Sequence, residues 1–453
     1  MKTRTSSSFV PRYRQLAEQI KRSIESGELS PGTRLPSSRV LAQEQGVSRA
    51  TVENALGELV AQGWLERRSR SGTYVSAALS ARPVRLIQKG ADRRHPAPLP
   101  FQPGLPALDA FPRGLWARVM GRRLRQQSRF DLALPDPAGN WVLRQAIADW
   151  LRFSRSIDCR PEQVFIAAGY PMVMTLLLRA LARQGDGIWV EDPGYPFIRP
   201  VLEQNGLRLN PVPVDGEGMV IDEAIRRYPG ARFALLTPAH QSPLGVALAA
   251  SRRRQLLAWA VQRDVWIIED DYDSEFRYQG RPLPPLKSLD APRRVIYAGT
   301  FSKTLFPALR CGWLVVPEEV TNAFAEQSVL TPCSVPPLIQ LAISDFIGEG
   351  HFWRHLKKMR QIYTQRRRWL EQALAEQGFP VVPQAGGIQL LMPVTGADRT
   401  AAGRARDAGL AVEALGAWRL ESQGEGGLIM SFTNISSARH AEELAARLLR
   451  ALL

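Results

Sequence analysis

Apolar positions recur along this chain with two different rhythms, and the change of rhythm divides it. Over 13–26, Leu16, Ile20 and Ile24 fall on one helical face, and Gly27 ends the run. Ser37 stands where the N-cap of a second helix belongs, with Val40, Leu41 and Ala42 behind it. Gln45-Gly46-Val47 makes a turn, and Ser48 caps a third helix bearing Val52, Leu56 and Leu59. Residues 63–75 read as a β-hairpin wing with a basic tip. Past residue 100 the rhythm changes to short unbroken apolar runs separated by helical stretches. Runs 164–169, 187–192, 233–238, 264–272 and 295–297 have the composition of strands buried on both faces of a parallel sheet. Gly299 is read as breaking the last of these. Helices are expected over 141–153 and 171–183, and two long amphipathic ones over 334–348 and 352–377. These lead into a small α+β part ending in a helix over 438–452. The fold class is therefore α/β, preceded by an all-α/winged-helix module. The divisions fall at 1–76, a linker over 77–100, and 101–453, with a smaller C-terminal subdomain from about 340.

Composition sharpens this division. The chain has 453 residues, too many for one ordinary core, and a formal net charge of +16. Residues 1–100 hold 17 Lys/Arg against 8 Asp/Glu, so +9 of the excess sits in under a quarter of the chain. Such concentration points to a polyanion-binding arm more than to a uniformly basic surface. The linker carries Arg82, Arg85, Lys89, Arg93 and Arg94 and is expected to be mainly solvated. Cys159, Cys311 and Cys333 are isolated from one another and from histidines, which argues for a cytoplasmic protein without structural zinc. The N-terminus lacks the apolar core of a signal peptide, and no apolar run is long enough to span a membrane.

Chemistry gathers where the apolar runs end. After 295–297 come Thr300, Ser302, Lys303 and, a short loop later, Arg310. A lysine just past a buried strand is poorly hydrated, so its amine deprotonates readily and condenses with aldehydes. Two hydroxyls and a planar guanidinium suit an ester phosphate. Together these are the needs of pyridoxal 5′-phosphate. The run 264–272 ends in acids: Asp270, with Asp271 in reserve, suits the protonated ring nitrogen of that cofactor, and Tyr272 its phenolic oxygen. Helix 171–183 begins directly after strand 164–169, with Pro171 as its first residue. First-turn amides facing an anion make Gly169 and Tyr170 further phosphate candidates. Ligands of open parallel sheets sit outside the carboxyl ends of the strands, so these groups belong to one crevice.

The N-terminal module reads as a helix-turn-helix for double-stranded DNA. Residues at the start of its third helix, Ser48, Arg49 and Thr51, face the major groove. Arg39 reaches phosphate or guanine from the second helix. Arg67, Arg68 and Arg70 on the wing contact phosphates.

Three stretches of the large part, EDDYDSEF (269–276), GTFSKTLFPALR (299–310) and HQSPLG (240–245), resemble the fold-type I aminotransferase domain of MocR-type regulators. LPSSRVLA (35–42) and VSRATVENAL (47–56) resemble the GntR winged helix that this family joins to it. The resemblance implies a PLP-dependent regulator with a small-molecule effector: an amine, amino acid, vitamer or the cofactor itself. It also implies a head-to-tail homodimer. It assigns Tyr195 to stacking on the pyridine ring and Gly139 to a tight turn near the cofactor. Where Pro171 stands the family usually has a small polar residue, which shifts weight in phosphate binding to Arg310, Thr300 and Ser302. Where Ser242 stands, active aminotransferases have an asparagine. Where Ile429 stands they have the arginine that clamps a substrate carboxylate, with Arg419 and Arg439 as nearby substitutes. The alternative reading is a working aminotransferase with an attached DNA-binding domain. The arginines 360, 366, 367 and 368 of helix 352–377 are expected on a solvated face.

Overall fold

The structure, a computed structural model, describes residues 11–69, 71–77, 97–280, 283–291, 293–331, 335–421 and 423–453. The chain divides into two compact units, Met1–Pro96 and Ala97–Leu453. Arg70, Cys333 and the linker arginines lie outside the described residues.

The first unit contains α1 (Arg12–Glu25), α2 (Ser38–Glu44), α3 (Arg49–Ala61), β1 (Leu65–Arg68) and β2 (Gly72–Val75). Both expected serine caps are formed: Ser37 Oγ accepts from the Val40 amide at 3.4 Å, and Ser48 Oγ from the Thr51 amide at 3.1 Å. Leu16 and Ile20 of α1 pack on Leu41, Val52, Leu56 and Leu59, with Leu65 and Val75 closing the core from the wing. Each such side chain contributes about 1.5–3 kcal/mol on burial, which fixes the face that α3 turns outward. Val40 is exposed, so Leu41, with partly buried Ala42 beside it, anchors α2.

The second unit is built on an eight-stranded sheet. Its strands are β3 (Val164–Ala167), β4 (Gly187–Asp192), β5 (Arg208–Asp215), β6 (Gly218–Met219), β7 (Ala231–Leu236), β8 (Trp266–Asp271), β9 (Val295–Thr300) and β10 (Gly312–Val315). Their order is β3-β10-β9-β8-β7-β4-β5-β6. The run from β9 to β5 is parallel, and β10 is antiparallel to both β9 and β3. Successive side chains alternate between two cores: Ile268 and Ile296 face Val173 and Leu177 of helix Tyr170–Leu181. Ile267 and Val295 face Leu256 and Trp259 of helix Ala250–Arg263. Three short strands, β11 (Gln389–Val394), β12 (Glu413–Ala414) and β13 (Gly426–Ser431), form a separate antiparallel sheet ordered β11-β13-β12. Helix Ala438–Leu452 packs Leu444 and Leu448 into the same core as Leu390, Met392, Leu428 and Met430 of this sheet. Among the described residues no helix is long and apolar enough to cross a membrane.

Two expectations are corrected, and a third is met in part. Gly299 does not break its strand: β9 runs on to Thr300, and Gly299 lies opposite Trp313 of β10. A Cβ there would come within 2.1 Å of the indole, so the glycine makes room for a tryptophan. The arginines of helix His351–Glu376 do not form a solvated face. Arg366 and Arg367 are buried. Arg366 binds Asp109 bidentately at 3.0 and 2.6 Å, and Arg360 donates to the Glu275 carbonyl at 2.8 Å. Of the four only Arg368 is fully exposed. Gly139 does make a tight turn, at φ +106, but it packs against Ile166 and Gln340 and is absent from the lining of the cleft described next.

Candidate functional site

A cleft of about 290 Å³ opens at the carboxyl ends of the parallel strands. Each strand delivers a different group to it. The loop after β4 brings Tyr195 and Phe197, and that after β7 brings Thr237 and Ser242. β8 ends in Asp270 and Tyr272, and β9 in Thr300, Ser302 and Lys303. Tyr170, Pro171 and Arg310 line one side. All nine residues expected in the crevice from the sequence lie at or beside it: eight line it, and Gly169 adjoins Arg310.

Strand alternation separates the two acids at the end of β8. Asp270 turns into the cleft and is hydrogen-bonded by the Tyr170 hydroxyl. Asp271 turns the opposite way, where it accepts from Tyr297 and lies 3.5 Å from Arg155. Burial pushes the Asp270 carboxyl up to about 7; Tyr170 and Lys303 pull it down, while Asp271 and Asp273 push it further up. Burial also lowers the Lys303 amine, against the attraction of Asp273, Asp270 and Glu413. Lys303 Nζ donates to the Gly104 carbonyl at 2.7 Å. A side chain at position 104 would collide with that amine at 2.7 Å, and Gly104 has φ +76.

Arg310 and Gly169 form a cradle at the cleft. Gly169, at φ +83, is the N-cap of helix Tyr170–Leu181, which places Tyr170 first and Pro171 second. The Arg310 guanidinium lies across Gly169 and donates to the Ala168 carbonyl at 3.3 Å. A Cβ on Gly169 would stand 2.7 Å from that guanidinium. Arg310 itself sits in the left-handed region at φ +47, a conformation costing on the order of 1–3 kcal/mol in a non-glycine residue. Thr300 Oγ1 accepts from the Ser302 amide at 3.1 Å, which turns the loop that presents both hydroxyls.

Several lining groups carried no usable signal in the sequence. Gly104 comes from the segment preceding the sheet, Gln389 and Glu413 from the small sheet, and Trp418 from the connection between β12 and β13. Behind Tyr272 lies a buried relay: His240 Nδ1 is 3.0 Å from the Tyr272 hydroxyl and 3.1 Å from Asp273 Oδ1. Ser242 hydrogen-bonds Tyr272. Ile429 does not line the cleft. It is fully buried with Leu391, Leu415 and Trp418. Arg419 donates to the Glu425 carbonyl at 2.8 Å, and Arg439 pairs with Glu443 at 3.0 Å on the exposed face of its helix, so neither replaces the missing arginine.

In the first unit the candidate contacts cluster around the start of α3. Arg39, Ser48 and Arg49 are exposed, and Thr51 is half-buried with its hydroxyl 2.8 Å from Ser48 Oγ. Arg49 Nε donates to Ser38 Oγ at 3.3 Å. On the wing, Arg67 pairs with Glu53 of α3 at 2.6 Å; Arg68 donates to Glu66 at 3.0 Å and lies 4.5 Å over the Tyr74 ring. Glu53 is a missed residue: the hydrogen bond from Ser38 lowers its carboxyl, burial opposes, and Arg67 and Arg49 lower it further.

Comparison with known proteins assigns a family to each unit. Residues 12–75 match the family described as bacterial regulatory proteins, gntR family, and residues 116–452 match aminotransferase class I and II. A probable rhizopine catabolism regulatory protein, MocR, of Rhizobium meliloti is 39% identical over 377 residues, 79% of this chain and 76% of that protein. The pyridoxine biosynthesis transcriptional regulator PdxR of Corynebacterium glutamicum is 36% identical over 365 residues, 80% of this chain and 78% of that one. Among solved structures, the alpha-aminoadipate aminotransferase LysN of Thermus thermophilus, in complex with N-(5′-phosphopyridoxyl)-L-leucine, aligns at TM-score 0.70 and 27% identity. The alignment covers 78% of this chain and 92% of that one. The chain belongs to the MocR-type transcription regulators, in which a GntR-family winged helix is joined to a class I and II aminotransferase domain.

Proposed function

We propose that this regulator binds operator DNA through its winged helix and pyridoxal 5′-phosphate in the cleft. A small amine, amino acid or vitamer, or the cofactor itself, then acts as the effector. The observation that carries the reading is the convergence of Lys303, Asp270 and the Gly169–Arg310 cradle on one cleft. Bound there, the cofactor supplies an aldehyde that reacts with amines and a ring that accepts electron density.

The residues fit that group. Burial favours the neutral form of Lys303, which is the form that attacks an aldehyde carbon. Asp270, its carboxyl raised by burial, would hold the ring nitrogen and serve as its counter-charge. Tyr272 donates toward the phenolic oxygen, steadied by His240 and Ser242. Tyr195 covers the ring face. Arg310, Thr300, Ser302 and the Tyr170 amide at the start of helix Tyr170–Leu181 receive the phosphate, since Pro171 has no N–H to offer.

In the winged helix, Arg49 reads a base while Arg67 and Arg68 bind phosphates, with Arg39, Ser48 and Thr51 beside them. A homodimer would present two such modules to a palindromic site. Phe130, Leu132, Leu134, Trp141 and Val142, all exposed in one stretch, support a surface that a second copy covers.

Borohydride reduction followed by peptide mass analysis tests the cofactor assignment. The phosphopyridoxyl group is expected on Lys303. Its appearance on another lysine, or an unaltered visible spectrum in Lys303→Ala, would refute it.

A further inference from the structure

One wall of the cleft has the chemistry of a cation receptor. Glu413 stands at the start of β12, opposite Ile429 of β13, and reaches the cleft near Lys303. Its carboxylate accepts a hydrogen bond from Trp418 Nε1 at 2.9 Å and forms no ion pair among the described residues. Around it the lining is aromatic. The ring centroid of Tyr195 is 5.9 Å from Trp418, 5.4 Å from Phe197 and 6.4 Å from Tyr170. Aromatic faces carry negative charge density, and a carboxylate among several of them is a receptor for an ammonium group.

The same wall is hostile to a carboxylate. Ile429 lies buried behind Trp418 and offers no charge. Arg419 and Arg439 are engaged elsewhere. A ligand carboxylate placed here would meet Glu413, while the cations lining the cleft, Lys303 and Arg310, are taken by the aldehyde and the phosphate on the reading above, so the repulsion and the loss of water go unmatched. Burial pushes the Glu413 carboxyl up, while Trp418, Arg406 and Lys303 pull it back down. An arriving ammonium would act in the same direction as those three.

Resting on the reading that the cofactor and Lys303 form the floor of the cleft, we infer that Glu413, held by Trp418 and flanked by Tyr195 and Phe197, selects an effector with two amino nitrogens. One amine faces Lys303 and the second, as an ammonium, faces Glu413. The ligand class is therefore a diamine or a similarly dicationic amine, and not an α- or ω-amino acid.

Calorimetric titration of the full-length protein with three probes of equal length decides the matter: 1,5-diaminopentane, 1-aminopentane and 5-aminopentanoate. Cofactor content is read separately from the visible spectrum. The diamine is expected to bind roughly tenfold tighter than the monoamine, with the amino acid weakest. Glu413→Gln keeps an acceptor for Trp418 but removes the charge. It should bring the ratio of diamine to monoamine affinity down to about one. Glu413→Arg should reverse the order in favour of 5-aminopentanoate. If Glu413 only propped Trp418, Glu413→Gln would leave the ranking unchanged, and that result overturns the inference. So does a wild-type protein that binds the amino acid as tightly as the diamine, or binds none of the three. A colourless protein that keeps the ranking would refute the cofactor assignment and leave this one standing. A yellow protein without the ranking would refute this one alone.

Discussion

Lys303 in the cleft and Arg49 on the winged helix are both basic side chains placed for an electrophilic or anionic partner, and their surroundings treat them in opposite ways. Lys303 is stripped of water, lies within the influence of Asp270, Asp273 and Glu413, and is tethered to the Gly104 carbonyl. Arg49 stands exposed at the start of α3 with a single weak tether to Ser38. Desolvation changes what an amine can do chemically, because it decides which protonation state exists. Exposure leaves the charge intact and makes binding a matter of counterion exchange and geometry. The wing pair Arg67–Glu53 belongs to the second regime. An exposed pair of this kind is worth about 0–1 kcal/mol, so a phosphate displaces the glutamate at little cost.

The contrast can be broken at its strong end first. Gly169→Ala places a methyl group against the Arg310 guanidinium in a backbone conformation that alanine resists. Loss of cofactor on dialysis, followed by the visible band, should be nearly complete, with the winged helix still folded by circular dichroism. Retention as in wild type would show that the cradle does not hold the phosphate.

Proton linkage gives the next effect. Asp270, Glu191 and Glu269 are each pushed up to about 7, chiefly by burial, from ordinary values near 4. Their contribution to the stability of the cofactor-free protein is complete below the unfolded value and is lost as pH rises through about 7. The melting temperature without cofactor should therefore fall between about pH 4 and pH 7 and level off above that. Asp270→Asn should flatten part of that fall. A cofactor that pairs with Asp270 should flatten it too, since the carboxylate is then stabilised as the anion. A pH profile identical with and without cofactor would contradict the pairing.

On the winged helix the effects are smaller and differently shaped. Arg49→Ala should cost about 1–3 kcal/mol on specific DNA and relax preference at one operator position. Arg68→Ala should weaken all sequences alike and lower the salt slope by roughly one. Equal losses for both variants on specific and random DNA would remove the division of roles. Smallest of all, Glu53→Gln should change unfolding stability by less than about 1 kcal/mol.

The two regions also differed in how far the sequence disclosed them. The caps Ser37 and Ser48 and the strand-end groups Asp270 and Lys303 were legible because local rules place them: a capping serine precedes its own helix, and a strand's last residues lie at its end. Asp270 could be preferred to Asp271 but not separated from it until the direction of β8 fixed which acid faces the cleft. Groups that arrive from far along the chain left no local trace. Glu413 sits on a two-residue strand more than a hundred residues beyond Lys303, and Gly104 reaches the same amine from almost two hundred residues before it. The arginines of helix His351–Glu376 read as solvated because charge is usually exposed. Arg366 is buried only because Asp109 and the Thr433 carbonyl meet it there. Gly299 was misread for a related reason: its partner is Trp313 on the neighbouring strand, and nothing near it in sequence shows that a large ring needs the space.

The cleft and the DNA-binding face form one regulator only if occupancy of the first alters the second. Coupling of this kind is a difference in operator affinity between the ligand-bound and ligand-free protein. The direct measurement is operator affinity at fixed salt, with and without pyridoxal 5′-phosphate, for wild type and Lys303→Ala. The wild-type affinity is expected to shift by about 5-fold or more, with no comparable shift in Lys303→Ala. An equal shift in both proteins, or none in wild type, would contradict control of DNA binding through Lys303.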